Sequence, residues 1–170
     1  MNNRRTAASI RRSYTGARSR AEGAGFEHII DNACAYYRSI GLADIEKTPE
    51  PMRPIGSPDR AGRFLACYTK QAQPDYKGII KGGRMVMFEA KFTSTERLEQ
   101  SRVSREQSEY LDRCQRLGAR CYVLAGFITG EVYRIPWAVW SDMKAHFGRK
   151  YVTEADLREY HIHTAWNATL

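Results

Sequence analysis

Two short β-type runs, Asp75 to Ile80 and Arg84 to Phe92, flank Lys81-Gly82-Gly83, and this feature most restricts how the chain can fold. Paired glycines between strand-like segments predict a β-hairpin, because glycine adopts the left-handed backbone that a tight turn requires. The register of the hairpin decides which side chains meet. A two-residue turn at Gly82-Gly83 pairs Lys81 with Arg84 and sets Asp75 opposite Ala90. A three-residue turn over Lys81, Gly82 and Gly83, with Gly83 left-handed, pairs Ile80 with Arg84 and sets Asp75 opposite Glu89. Side chains alternate faces along a strand, so Glu89 and Lys91 share one face while Phe88 and Ala90 take the other. The glycine pair permits the second register, which gathers two carboxylates and an ammonium on one face.

Such a cluster has consequences. Like charges about 4 Å apart repel by roughly 4 kcal/mol at an effective dielectric near 20, so either one carboxyl is protonated or a divalent cation lies between them. Carboxylate oxygens suit Mg²⁺ or Mn²⁺, which retain waters and accept phosphate oxygens. A lysine beside them can position or help deprotonate a nucleophile and can neutralise charge growing on a phosphate. The implied reaction is phosphodiester hydrolysis. Alternating charges also occur on solvated, salt-bridged strand faces, but Met85, Val86, Met87 and Phe88 precede Glu89. That apolar run marks the strand as central and its charges as partly buried, and buried charges need compensation.

The rest of the chain supplies the frame. Phe26, Ile29, Ile30, Ala33, Tyr37 and Ile40 recur at helical spacing and predict a helix from Glu22 to Ile40, ended by Gly41. Between Lys47 and Gln73 the periodicity breaks at Pro49, Pro51, Pro54 and Pro58, giving a loop or an extended projection. A second helix, Ser101 to Leu117, presents Val103, Gln107, Tyr110, Leu111, Cys114 and Leu117 on one face and closes at Gly118. Arg120 to Phe127 and Glu131 to Ile135 predict two further strands around Gly130. A short helix carrying Trp137 and Trp140 follows Pro136, and Thr153 with Asp156 opens a last one. The order describes a mixed α/β domain, and 170 residues with 42% hydrophobic content sustain one core, over residues 21–170.

Charge is unevenly placed. Lys and Arg number 27 against 19 Asp and Glu, a net +8, and Arg4, Arg5, Arg11, Arg12, Arg18 and Arg20 crowd the first twenty residues without an acid. Residues 1–20 have few large apolar side chains and are expected as a disordered, basic arm that either binds phosphate or solubilises the chain. The apolar stretches, such as Cys121 to Phe127, fall far short of the roughly 20 residues of a membrane span, and no secretory signal is visible. Cys34, Cys67, Cys114 and Cys121 form no CxxC pair and are expected as free thiols in a cytoplasmic protein.

These residues resemble a known family. The Pro-Asp and Glu-x-Lys pattern is similar to the PD-(D/E)xK nucleases of the restriction-endonuclease-like fold, and more narrowly to the RecU-type Holliday junction resolvases. The resemblance rests on Phe26-Glu27 with Asn32 and Tyr36-Tyr37, Lys47-Thr48-Pro49-Glu50-Pro51, Lys70-Gln71, Asp75-Tyr76-Lys77-Gly78, Lys81-Gly82, Phe88-Glu89-Ala90-Lys91 with Thr93, and Gln107. It departs from that pattern at Pro74, where the family usually carries Thr, and in a slightly shorter interval before Asp75. The resemblance implies a mixed central sheet flanked by helices, with a stalk over about residues 47–71. It also implies a homodimer, two Mg²⁺-dependent sites, and symmetric nicking of four-way DNA junctions, with a recombinase as a possible partner.

In that reading Asp75, Glu89 and the Ala90 carbonyl hold the metal, Lys91 orients the attacking water, and Glu27 and Gln107 assist. Glu27 also suits an ordinary first-turn glutamate, and Gln107 suits a capping box with Ser104. In the projection, Arg53, Arg60, Arg63 and Lys70 interleave with Phe64 and Tyr68, a pattern able to grip phosphates and stack on unpaired bases; with Arg4, Arg5, Arg11 and Arg12 they are the candidate DNA contacts. Two rival functions share these residues: a nuclease of the same fold acting on duplex or flap DNA, and a non-catalytic DNA-binding modulator of recombination.

Overall fold

The computed structural model describes the backbone of residues 7–49, 51–68 and 73–162, and the side chains of 21–49, 51–67 and 73–162. Helix α1 spans Ala7–Ser39 and so begins well before Glu22. Residues 7–20 are therefore helical rather than the disordered arm expected from composition: alanine and arginine have high helix propensity and no proline interrupts them. Arg4, Arg5 and the side chains of Arg11 and Arg12 lie outside the described residues. At the other end Gly41 takes φ 66°, and Leu42 N–H donates to the Tyr37 carbonyl while Gly41 N–H donates to that of Arg38. This is a Schellman closure, and it needs a residue free of Cβ.

Strand β1, Ala43–Lys47, follows, and then a two-stranded ribbon of β2, Met52–Ile55, and β3, Leu65–Tyr68, which pair antiparallel. Every described side chain from Pro51 to Ala66 is exposed, so the segment is an extended projection and not a bare loop. Its far end is closed by Asp59, whose carboxylate accepts from the backbone of Ala61 and Arg63 and from the Arg63 guanidinium.

The hairpin consists of β4, Tyr76–Ile80, and β5, Arg84–Thr93. Its register pairs Ile80 with Arg84 and Tyr76 with Phe88, which is the three-residue turn. Gly82 and Gly83 take φ of 95° and 81°, and Gly83 N–H donates to the Ile80 carbonyl. After β5 come β6, Leu98–Glu99, a 3₁₀ turn over Gln100–Arg102, and helix α2, Arg105–Arg116. The expected start at Ser101 is thus four residues early, because Ser104 and not Ser101 caps the helix. Strands β7, Arg120–Phe127, and β8, Val132–Pro136, lead to helices α3, Trp137–Ser141, and α4, Met143–Phe147, and to β9, Tyr151–Val152. The last helix expected at Thr153 does not form. Asp156 caps Thr153 and also takes a bond from Arg149, and only a turn and a 3₁₀ segment, Arg158–Tyr160, result.

The main sheet has the order β1-β4-β5-β7-β8, with β5 and β7 parallel and the other pairs antiparallel. β5 is the central strand. Its alternation splits the core into two layers. Val86 and Phe88 pack with Tyr122 and Leu124 of β7 beneath Phe26, Ile30, Cys34 and Tyr37 of α1. Met87 faces the other way, with Val123, Leu111 of α2 and the indoles of Trp137 and Trp140. Gly126 lies where α1 crosses β7; a Cβ there would stand 2.7 Å from the Phe26 ring, so glycine sets the closeness of that layer. The result is a mixed sheet flanked by helices, the fold class expected from the sequence.

Candidate active site

The pairing of Tyr76 with Phe88 places Asp75 across from Glu89, and the side chains meet. Lys91 Nζ lies 2.7 Å from Asp75 Oδ2 and 2.7 Å from Glu89 Oε2. The same Asp75 oxygen accepts the Ala90 N–H at 3.0 Å, which fixes the carboxylate against the central strand. Glu89 is fully buried, and the Lys91 and Asp75 side chains are only 12% and 18% exposed. The charges on β5 are therefore buried, as its apolar flank led one to expect.

Helix α2 closes the cluster from one side. Gln107 Nε2 donates to Glu89 Oε2 at 2.8 Å, while its Oε1 accepts the Ser104 N–H at 3.0 Å and its own N–H bonds Ser104 Oγ. The two readings of Gln107 are both realised. The amide has a donor end and an acceptor end, and the capping box uses one and leaves the other for Glu89.

Burial drives the Glu89 carboxyl up to about 8; Lys91 pulls it back and Asp75 pushes it further up. Burial also pulls the Lys91 ammonium down, but Glu89 and Asp75 outweigh that and hold it above the ordinary lysine value. Lys91 is thus a cation poised to meet negative charge and not a ready base. Glu89 Oε1 is buried with no hydrogen-bond partner. Two carboxylates share one ammonium, Lys91, so when both are ionised the cluster is short of positive charge, and a divalent cation fits at the orphaned oxygen. Among the described residues no group of three or more His, Cys, Asp or Glu side chains is arranged to hold a metal. The available donors are therefore two carboxylates completed by backbone oxygen and water, a set that suits Mg²⁺ or Mn²⁺ better than zinc.

Glu27 is not brought into this cluster. It sits on α1, and its Oε2 takes a 2.6 Å bond from Lys47 Nζ. Lys47 ends β1 opposite Tyr76 and feels Glu27, Asp31 and Asp75 together, all of which hold its ammonium up once the Glu27 hydrogen bond has outweighed desolvation. Sequence reasoning gave Lys47 no role. The only signal was the brief alternation of Ala43 and Ile45 with Asp44 and Glu46, in an edge strand of five residues with more charged than apolar side chains. It also missed two contacts on either side of Asp75. Tyr76 OH donates to Asp31 Oδ1 at 2.7 Å, tying the residue after Asp75 to α1, and Thr48 N–H donates to the Asp75 carbonyl at 2.8 Å. The Thr48 hydroxyl is buried and without a hydrogen-bond partner.

Of the candidate DNA contacts, Arg53, Arg60, Arg63 and Phe64 are exposed on the ribbon, with Arg63 paired to Asp59. The Tyr68 side chain and Lys70 lie outside the described residues. The ribbon is separate from the carboxylate cluster, so the structure presents one buried ionic site and one exposed basic projection.

Comparison with known proteins gives the same direction. Residues 21–169 match the family model of RecU, Recombination protein U. The chain is 29% identical over 147 residues to a Holliday junction resolvase RecU of Ligilactobacillus salivarius (strain UCC118), covering 81% of this chain and 68% of the relative. It is 32% identical over 136 residues to the Holliday junction resolvase RecU of Streptococcus sanguinis (strain SK36), covering 76% of this chain and again 68% of the relative. A solved structure, the Holliday junction resolvase Hjc of Archaeoglobus fulgidus, superposes with a TM-score of 0.49 at 15% identity, covering 85% of this chain and 93% of that one.

Proposed function

Because the chain belongs to the RecU family, we propose that it is a metal-dependent endonuclease that resolves four-way DNA junctions by hydrolysing phosphodiester bonds. The observation that carries this reading is the buried Asp75–Lys91–Glu89 cluster, in which Glu89 Oε1 is buried without a hydrogen-bond partner. We propose Mg²⁺, with Mn²⁺ as a substitute, held by Asp75, Glu89 and the Ala90 carbonyl. When bound, such an ion polarises the phosphoryl oxygen and lowers the pKa of its water.

The protein's own residues do the rest. Asp75 is aimed by the Ala90 N–H, and Glu89 by Gln107. Lys91 remains protonated, so it orients the attacking water and neutralises charge that grows on the phosphate in the transition state. Glu27 acts at one remove, by holding Lys47 beside Asp75. The ribbon, with Arg53, Arg60, Arg63, Phe64 and Tyr68, meets the junction, together with Lys70, Arg4, Arg5, Arg11 and Arg12. Phosphate and stacking contacts of this kind select shape and not base sequence.

We also propose a homodimer, whose two-fold axis matches a symmetric junction. Ile29 and Tyr36 on α1, with Ile40 just past its end, are exposed apolar side chains and support it. No helix among the described residues is long and apolar enough to cross a membrane, and a cytoplasmic site of action is proposed with the nuclease reading. The test is cleavage of a synthetic four-way junction with Mg²⁺ or Mn²⁺, set beside linear duplex and flap at one salt concentration. The wild type should nick the junction preferentially, and Asp75→Asn and Lys91→Ala should not. Failure of the wild type to nick, or variants that behave like it, would overturn the reading.

A further inference from the structure

Beyond Lys91 the central strand continues to Thr93, one repeat further on the same face, a rise of about 6.7 Å. There the chain leaves the sheet, and Thr93, Ser94, Arg97, Arg102, Glu99 and Glu22 of α1 border a cleft of about 340 Å³. No role assigned so far uses this cleft.

Its walls are braced. The Thr95 hydroxyl donates to the Arg97 carbonyl at 3.0 Å and lies 2.9 Å from the Thr93 hydroxyl. β6 pairs with β9, setting Leu98 against Val152 and Glu99 against Tyr151. On that support the Arg97 guanidinium lies over the Tyr151 ring, 4.7 Å from its centroid. Arg102 Nη2 donates to the Phe92 carbonyl at 3.2 Å. Stacking occupies the face of a guanidinium and leaves the N–H donors along its edge available, and a single bond from Arg102 leaves its other donors available. Among the described residues no carboxylate lies within ion-pair distance of either guanidinium.

Two arginines that are oriented but not neutralised, with Ser94 beside them, offer donors suited to a phosphodiester anion. We propose that this cleft holds the backbone phosphate adjacent to the one that is cleaved. The inference rests on the nuclease reading: with the scissile phosphate at Lys91, one strand repeat is about the separation of successive phosphates on a DNA strand. Glu22 and Glu99 border the same cleft and offset the two guanidiniums in formal charge. The cleft therefore recognises a strand in one position and does not attract DNA by net charge.

Binding of a labelled four-way junction in EDTA, followed across 50 to 200 mM salt, tests this. Losing one phosphate contact flattens the salt slope by about 0.9, so the affinity of Arg97→Ala with Arg102→Ala should fall roughly 3.5-fold less than that of the wild type over that range. Glu99→Gln should tighten binding. In cleavage with metal, a neutral methylphosphonate next to the cleaved bond should lower kcat/KM about tenfold for the wild type and add nothing further in the double variant. Arg97→Lys, which keeps the charge, should keep both the salt slope and the methylphosphonate effect. If the wild type cuts junctions but the double variant keeps its salt slope, or is slowed as much by the methylphosphonate, the cleft inference falls and the nuclease reading stands. If the wild type cuts nothing, both fall.

Discussion

The buried Glu89 carboxyl makes the metal-free protein a pH-sensitive object, and the sign of the effect can be worked out. Its folded-state value stands at about 8 against an ordinary 4.5, so between those limits the native state holds a proton that the unfolded chain has released. The contribution of this group to stability is then fully present below about 4.5 and falls as pH rises, by up to about 1.4 kcal/mol per unit. At pH 7 the accumulated loss is roughly 3 kcal/mol, a sizeable part of a typical domain's total. Urea unfolding in EDTA at several pH values between 5 and 8 should show this decline. Glu89→Gln should remove it, since the amide keeps an oxygen for Lys91 and Gln107 and does not titrate. Saturating Mn²⁺ should recover stability in the wild type, by about 2.7 kcal/mol at a hundredfold excess over Kd, and more strongly at high pH, where the carboxylate needs no deprotonation. A wild-type curve flat from pH 5 to 8 in EDTA, or the same slope in Glu89→Gln, would refute the reasoning.

Other perturbations separate roles that share residues. Ser104→Ala removes the cap and should cost about 1 kcal/mol with nicking retained. Gln107→Ala keeps the Ser104 cap on its backbone N–H but loses the return bond from Ser104 N–H and the Glu89 bond, and at matched stability its kcat should fall well below that of the Ser104 variant. Tyr76→Phe deletes the donor to Asp31 and should lower unfolding free energy by about 2 kcal/mol, read by denaturant titration. Gly126→Ala drives a methyl into the Phe26 ring and should cost about 1–3 kcal/mol, a Tm drop of several degrees that Phe26→Leu partly restores.

What could be read from the chain and what could not follow from the range of the forces involved. The hairpin was legible because its register depends on three adjacent residues: once Gly82 and Gly83 turn the chain with Ile80 opposite Arg84, Asp75 has nowhere to go but the face of Glu89. The helix over Phe26 to Tyr37 and strand β7 were legible for the same reason, since their apolar spacing is local. β1 was not, because a five-residue edge strand with alternating charges stabilises itself only through β4, a partner about thirty positions on. The extension of α1 over residues 7–20 was missed in the opposite sense: composition argues against a buried face there, but a helix requires only backbone propensity. Gln107 shows where the two kinds of information meet. Its spacing from Ser104 identifies a cap, a local fact, and its position on α2 brings the spare amide donor to Glu89 across the α2-facing layer of the core, a tertiary one. One side chain thereby links the start of a helix to the oxygen that Lys91 also holds, so the geometry of the cluster depends on where α2 begins. The local code can write such a residue, but only the packed sheet gives it a second partner.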